Sequence, residues 1–220
     1  MNHRLTRAMF VVALVFVGGL QLARAETWDV RSQFSADTSI WQYLYMPNAD
    51  GANGPYTAME LGGGSFPDDG HWRVSDAYTC YLATAILNYP DIRADFGDFL
   101  TAVIAWKSPI DGFVDINATV RKQVDGGTGG DYQFYQDNQT TPLVSGSIDG
   151  AAESTGLITL SNMPVSVGTQ FYLQVDPGAN LSTDTFGVMF SVTSVPEPGT
   201  LAILGSGLVG LLAYAWRKRK

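Results

Sequence analysis

Acidic side chains dominate the residues of this chain that could do chemistry. The 220 residues include 21 Asp and Glu against 13 Lys and Arg. Asp125 and Asp131 bracket a Gly- and Thr-rich run, so carboxylates and freed backbone carbonyls could converge there on a hard cation such as calcium. Asp111 and Asp115 form another pair near a turn, and neither pair fits the EF-hand pattern. The pattern leaves two interpretations: a structural calcium at Asp125 and Asp131, or solvated turns.

The residues available for catalysis are few. His71 is the one histidine after the N-terminal apolar segment, so neither a His-rich zinc site nor a convincing hydrolase triad can be assembled. Cys80 is the single cysteine, and its apolar neighbours favour a buried small hydrophobe over a nucleophile. A glycosidase needs two carboxylates at a defined separation. Because the chain has so many acids, the sequence favours no particular pair. We therefore expect no enzyme activity and no catalytic residue.

Aromatic side chains offer a second kind of binding site. The apolar face of a sugar ring stacks on flat aromatic rings, while amides and carboxylates hold its hydroxyls. Core packing is the competing role for each large candidate. These candidates are Trp28, Trp41, Tyr43, Tyr45, Trp72 and Trp106. Trp72 follows His71 and an Asp-Asp-Gly run, which is least typical of a core position, so His71 and Trp72 form the candidate ligand site.

The elements that must position these residues are short strands. Apolar and polar residues alternate from Val114 to Val120, and a similar alternation runs from Leu100 to Trp106, which predicts two strands. Residues 108–112 between them predict a hairpin turn or a sheet-to-sheet corner. Further strands are predicted within 131–136, 156–160, 171–175 and 186–192, with Gly-rich breaks at 62–64 and 126–130, and with strand or helix at 78–87. Many short strands punctuated by turns predict an all-β antiparallel sandwich.

The N-terminus has the pattern of a secretory signal peptide. Two arginines precede an apolar stretch at residues 8–20, and Ala23 and Ala25 supply a small-residue cleavage site. A permanent anchor is the alternative, but the stretch is too short to span a bilayer comfortably. We expect residues 1–25 to be removed.

The C-terminus has three parts with distinct physical properties. In order, they are Val195-Pro196-Glu197-Pro198, an apolar run at 201–216, and Arg217-Lys218-Arg219-Lys220. The prolines make a stiff, extended spacer, and the four cations stay cytoplasmic while the body is exported. At ~1.5 Å per residue the apolar run reaches only ~24 Å of a ~30 Å hydrocarbon core, which suits a transient transmembrane anchor. An ordinary membrane anchor is the alternative.

Without these two ends, residues 26–194 remain as a body of one-domain size. The body keeps 20 of the 21 acids but only 6 of the 13 basic residues, so its net charge is near −14. Such a charge argues against nucleic acid as a partner, because phosphate contacts need Lys and Arg.

The C-terminal segment, down to its Val-Pro-Glu-Pro-Gly-Thr-Leu wording, resembles the PEP-CTERM sorting signal of exported bacterial proteins. The resemblance implies transient recognition by exosortase, a membrane-embedded cysteine protease that cuts near Pro-Glu-Pro. It also implies a Gram-negative-type envelope, an inner-membrane intermediate, and a final place on the outer surface or in the extracellular matrix with exopolysaccharide.

The body is similar to the jelly-roll domains common among such proteins. Phe34-Ser35 followed by Trp41-Gln42-Tyr43 is similar to their first strand, residues 106–112 to a Trp-x-x-Pro-x-x-Gly hairpin, and residues 125–131 to the Gly/Asp-rich loop that follows. The resemblance implies a carbohydrate-binding-like jelly roll, although binding does not transfer with a fold. The expected function is therefore a non-catalytic surface or matrix protein associated with exopolysaccharide. The alternatives are a sugar-binding module that uses aromatic stacking and, less favoured, a glycan hydrolase.

Overall fold

The structure is a computed structural model, and it describes most of the body between residues 25 and 196. The described residues are 25–34, 37–47, 55–62, 71–73, 81–84, 92–95, 100–122, 129–138, 140–149, 157–176 and 185–196, with isolated positions from 207 to 218. Residues 47, 61–62, 71–73, 81–84, 92–95 and 100 are described by their backbone alone.

The described part of the body is built from β-strands. They are β1 (Thr27–Asp29), β2 (Trp41–Pro47), β3 (Thr57–Ala58), β4 (Glu60–Gly62), β5 (His71–Arg73), β6 (Tyr81–Thr84), β7 (Ile92–Asp95), β8 (Leu100–Lys107), β9 (Gly112–Lys122), β10 (Gly129–Gln136), β11 (Val144–Asp149), β12 (Ile158–Val165), β13 (Gln170–Asp176) and β14 (Thr185–Val195).

These strands form two antiparallel sheets with jelly-roll connections. The eight-stranded sheet has the order β12-β9-β14-β7-β6-β5-β4, with β1 also paired to β14, and the six-stranded sheet has the order β11-β10-β13-β8-β2-β3. From β8 to β14 the chain changes sheets at every connection except the β10–β11 hairpin. This alternation between two sheets is the strand path of a jelly roll, and the predicted antiparallel sandwich is confirmed.

The main core lies between the two sheets, and aromatic rings fill much of it. Trp28, Trp41, Trp106 and Phe190 are each at most 1% exposed. The Trp28 and Trp106 ring centroids lie 5.4 Å apart, and Trp41 meets Phe190 edge-on at 5.0 Å. Rings of this size bury large apolar areas, so the body is held together without an internal disulfide.

The strand β8 is buried on both faces. Its nearly continuous run of apolar residues is typical of such a strand. Ala102, Ile104 and Trp106 face the main core, as predicted. Val103 and Ala105 point the other way and are also buried, in a second and smaller cluster on the outer side of the six-stranded sheet.

The connection at residues 108–112 is a sheet-to-sheet corner, because it leads from β8 in one sheet to β9 in the other. The Ser108 amide donates to the Thr169 carbonyl at 2.8 Å, and the Gly168 amide donates to the Ser108 carbonyl at 2.8 Å. The corner is therefore fixed to the β12–β13 turn.

The predicted Gly-rich break at 126–130 extends too far, since Gly129 and Gly130 belong to β10. Gly129 has φ of +85°, and a Cβ there would collide with the Ile148 carbonyl oxygen. A Cβ at Gly130 would collide with the Asp176 carbonyl oxygen. These glycines allow the neighbouring strands to approach closely. In the sequence, a run of glycines is typical of a turn, which is why the predicted break extends into the strand.

The chain divides into two compact units: Thr27–Ser194, and the two termini taken together. The predicted signal peptide and Cys80 lie outside the described residues, apart from Ala25. In the predicted anchor at 201–216, the described positions 207, 209, 210, 212 and 216 are helical. No helix within the described residues is long and apolar enough to cross a membrane.

Candidate functional site

The predicted ligand residues His71 and Trp72 lie in β5, inside the eight-stranded sheet rather than in a loop. Trp72 is in register with Leu61 of β4 and Leu82 of β6. The backbone therefore places this pair between two neighbouring strands. The contacts of the two side chains lie outside what the structure describes, so their role in ligand binding stays a prediction.

Of the predicted calcium pair, Asp125 lies outside the described residues and Asp131 lies in β10. The exposed Asp131 carboxylate accepts a hydrogen bond from the Ser147 hydroxyl at 2.6 Å. Asp131 is in register with Asp176 of the neighbouring strand β13, and the sequence pattern does not single out Asp176. Among the described residues no group of three or more His, Cys, Asp or Glu could hold a metal ion. Calcium at Asp125 and Asp131 stays a prediction.

The second acidic pair has structural roles. The Asp111 carboxylate accepts a hydrogen bond from the Val167 amide, and the Asp115 carboxylate accepts one from the Asn162 amide, both at 2.9 Å. Asn162 has φ of +60° and lies where the β9–β12 register shifts. Both carboxylates satisfy irregular backbone, as Asp side chains do at turns and bulges.

Most of the large aromatic candidates are core residues. Trp28, Trp41, Tyr43 and Trp106 are at most 2% exposed, and all four belong to the main cluster. Tyr45 packs against the same cluster. The four buried rings present no free face for a sugar, whereas Tyr45 is half-buried.

Tyrosine and glutamine side chains instead gather on the outer side of the six-stranded sheet. Each strand that contributes alternates these residues with core residues, so they share one face. We call this set the tyrosine–glutamine face: Gln42, Tyr56, Gln133, Tyr135, Gln170, Tyr172 and Gln174. Several of these residues occupy the outward positions of the strands predicted at 131–136 and 171–175.

Strand register arranges the face in two rows. In one row, Gln42 pairs with Ala105, Ala105 with Tyr172, and Tyr172 with Tyr135. The other row runs through Leu44, Val103, Gln174 and Gln133 in the same strand order. Small β8 side chains therefore form a low floor between larger side chains from β2 and β13.

Hydrogen bonds link the polar groups of the face to one another. The Gln170 amide donates to the Gln42 carbonyl at 2.7 Å, and the Tyr172 hydroxyl donates to the Gln170 carbonyl at 2.6 Å. The Tyr135 hydroxyl donates to the Gln133 carbonyl at 2.7 Å. Such a network holds its side chains in defined positions.

The two central tyrosines of the face are buried. Tyr135 is 0% exposed and Tyr172 is 8% exposed. Burial raises the pKa of both hydroxyls, and the Asp137 carboxylate raises the pKa of Tyr172 further. Both hydroxyls therefore remain protonated donors at neutral pH.

Tyr56 lies over this face. Its ring stacks on that of Tyr172, with centroids 4.6 Å apart and planes 26° apart. The Gln174 amide donates to the Tyr56 hydroxyl at 2.6 Å. A flat ring and a hydroxyl thus fill the space above Tyr172.

One comparison identifies the C-terminal segment. Residues 194–220 match the PEP-CTERM protein-sorting motif. The predicted sorting residues fall inside this match, from Val195, the last residue of β14, to Lys220. The PEP-CTERM motif therefore begins where the last strand of the jelly roll ends.

The body resembles solved structures only distantly, and no curated protein sequence matches the chain. The K1 cleaved adhesin domain of Lys-gingipain from Porphyromonas gingivalis W83 has a TM-score of 0.45 and 10% identity, covering 78% of this chain and 98% of that one. The CBM51 from Clostridium perfringens GH95, in complex with methyl-galactose, has a TM-score of 0.37 and 12% identity, covering 81% and 97%. A CBM36-1 domain of a xylanase from the hindgut metagenome of Trinervitermes trinervoides has a TM-score of 0.33 and 10% identity, covering 80% and 100%. At these values the fold assignment rests on strand order and register.

Proposed function

We propose that this is an exported protein, processed by exosortase, whose non-catalytic jelly-roll body stays at the cell surface or in the extracellular matrix with exopolysaccharide. The match of residues 194–220 to the PEP-CTERM motif carries this proposal. Exosortase is a transient partner, at the stage when the apolar run 201–216 is in the inner membrane and residues 217–220 are cytoplasmic. The mature protein then lies outside a Gram-negative-type cell.

The position of the motif relative to the fold supports processing. All described residues of the main core lie between Trp28 and Val192, so a cut near Pro196-Glu197-Pro198 leaves this part of the core complete. The compact unit Thr27–Ser194 likewise excludes both targeting ends.

The test is the C-terminal sequence of the extracellular protein, measured by mass spectrometry in an exosortase-positive host. We expect the wild-type protein to lack the tail. A variant with Pro196, Glu197 and Pro198 replaced by Ala should keep residues 201–220 and remain with the membrane, while its body shows an unchanged melting temperature. Extracellular wild-type protein with an intact C-terminus would show that the proposal is wrong.

A sugar-binding module is the second candidate function, and the tyrosine–glutamine face favours it. Aromatic rings and amide groups on one sheet face are the groups that bind sugar rings and hydroxyls. His71 and Trp72 are a separate candidate site for the same function. Glycan binding that is lost in Trp72→Ala, with unchanged melting temperature, would assign binding to β5. Binding unchanged by Trp72→Ala would direct attention to the six-stranded sheet.

A glycan hydrolase is less well supported. Among the described acids, Asp111 and Asp115 are engaged by backbone amides, and Asp131 by Ser147. A hydrolase would require glycan turnover that a single carboxylate substitution abolishes. Release of reducing sugar by the wild-type protein, and none by Asp131→Asn, would favour this function over the other two.

A further inference from the structure

The groups that Tyr56 uses on the tyrosine–glutamine face are those a bound sugar would use. Its ring lies on the face of Tyr172 at 4.6 Å, where the apolar face of a sugar ring would stack. Its hydroxyl accepts a hydrogen bond from the Gln174 amide at 2.6 Å, as a sugar hydroxyl would. Tyr56 therefore fills both an aromatic subsite and a polar subsite.

The floor beside Tyr172 consists of two small residues of β8, Val103 and Ala105, which are fully buried. Ala105 is in register with Tyr172 and Gln42, and Val103 is in register with Gln174 and Leu44. These small β8 residues lie between larger neighbours on both sides, so they would form the floor of a shallow trough along the strand once the side chains that cover them move away. A linear glycan needs such a trough, flanked by hydroxyl and amide groups.

The segment that carries Tyr56 includes a short edge strand and, after it, the buried residue Met59. The strand β3 has two exposed residues, Thr57 and Ala58, and pairs with the edge of β2 at two register positions. Three residues after Tyr56, Met59 is 3% exposed and its amide donates to the Tyr43 carbonyl at 2.9 Å. Tyr56 can thus leave the face while Met59 holds the chain in place. Short edge pairings with few buried contacts open at low cost.

We propose that the tyrosine–glutamine face binds a neutral polysaccharide and that Tyr56 occupies the site until a sugar ring displaces it. This inference rests on the proposed association with polysaccharide. Binding then has a conformational cost, because the apparent affinity falls with the fraction of molecules in which the site is open. Removing the Tyr56 side chain removes that cost.

The charges around the face select the class of glycan. Asp131 and Asp176 are in register at one end of the sheet face. Asp137 lies at the other end, where its carboxylate accepts a hydrogen bond from the backbone amide of Gln170 at 2.8 Å. Among the described residues, these three acids outnumber the cation Lys107, which is in register with Gln170. Uronate or sulfate polymers are repelled at such a site. The ligand is therefore an uncharged hexose or pentose polymer.

The test uses affinity gel electrophoresis of the full chain in detergent, with soluble dextran, hydroxyethylcellulose and xylan as neutral probes and alginate as the acidic control. We expect Tyr56→Ala to bind one of the neutral probes about tenfold more tightly than the wild type, from the loss of one ring stack and one hydrogen bond. Tyr56→Phe keeps the stack and loses the bond to Gln174, so its gain should be smaller. Phe113→Ala, which truncates a 48% exposed ring on β9, is the matched control and should bind as the wild type does.

The second variant removes the hydroxyl of the Tyr172 platform and keeps its ring. Tyr172→Phe keeps the ring and its packing but loses the hydroxyl that donates to Gln170, and we expect it to weaken binding several-fold in the Tyr56→Ala background. Thermal melts of each variant exclude unfolding as the cause. Equal or weaker binding by Tyr56→Ala than by the wild type, preference for alginate, or no binding of any neutral probe by either protein would overturn the proposal. Binding that is identical in every variant would also overturn it, and would leave polysaccharide association intact at another site.

Discussion

Gln170 joins the hydrogen bonds of the tyrosine–glutamine face, and its replacement by Ala tests how much those bonds stabilise the body. Its side-chain amide donates to Gln42 at 2.7 Å, and its side-chain carbonyl accepts from Tyr172 at 2.6 Å. The bond from its backbone amide to Asp137 does not involve the side chain. Gln170→Ala therefore removes two side-chain bonds and leaves the strand ladder unchanged.

The expected loss follows from the burial of the two partners. A net contribution of about 1 kcal/mol for each bond gives about 2 kcal/mol. The Tyr172 hydroxyl, on a side chain 8% exposed, also loses its acceptor, which adds about 1 kcal/mol or more. Gln42 is only half-buried, so water replaces its lost donor. We expect Gln170→Ala to lower the free energy of unfolding by about 3 kcal/mol.

Urea unfolding measures this loss as a shift of the midpoint at constant slope. Gln136→Ala is the matched control, because its half-buried side chain makes one weaker bond, to the Pro164 carbonyl at 3.3 Å. We expect the control to cost at most about 0.5 kcal/mol. Equal stabilities for the two variants would refute the reasoning, since they would mean that the network adds nothing to folding.

Three further predictions address the close approach of strands, the buried tyrosines and calcium. Gly129→Ala should destabilise the body by about 3 kcal/mol or more in the same urea assay, because its φ of +85° and the nearby Ile148 carbonyl both exclude a Cβ; a neutral effect would contradict the glycine argument. The raised pKa of Tyr172 means that its contribution to stability is fully present below the unfolded value of about 10 and is lost as the pH rises through the folded value. Melting temperature should therefore fall above about pH 10, and less steeply in Tyr172→Phe; equal slopes would show that this residue is not responsible. If Asp125 and Asp131 share a calcium ion, millimolar calcium should raise the melting temperature of the wild type and not that of Asp131→Asn, and an unchanged wild-type value would rule the site out.

The strands that alternate cleanly could be predicted because one of their faces is buried and the other is not. In β9, Val114, Ile116, Ala118 and Val120 are at most 1% exposed, while the residues between them are partly exposed. The period of two in the sequence is a direct record of this asymmetry. The fold class follows from several such strands, whereas the pairing order does not, because it depends on contacts far apart in the chain.

The tyrosine–glutamine face could not be predicted by the same rule. Its residues alternate with core residues, which makes them appear solvent-exposed, yet Tyr135 and Gln174 are at most 3% exposed. The register that brings Tyr135 beside Tyr172, and Asp131 beside Asp176, joins residues of different strands. Composition contains no information about such pairs. Trp72 was singled out for its polar neighbours in sequence, and its neighbours in the sheet are instead Leu61 and Leu82.

The acids of the body show why its charge is a poor guide to its ligands. The strand β12 lies at the end of the eight-stranded sheet as described, where an unprotected edge invites pairing with another chain. A register shift at Leu160–Met163 and the proline at 164 interrupt that edge, and the Asp115 carboxylate holds the amide of Asn162 within the irregular segment. Asp115 therefore helps to protect the β12 edge from pairing with another chain, through a hydrogen bond to a residue 47 positions later in the sequence. Acids engaged in this way stabilise irregular backbone, so the net charge of the body includes carboxylates whose role is structural.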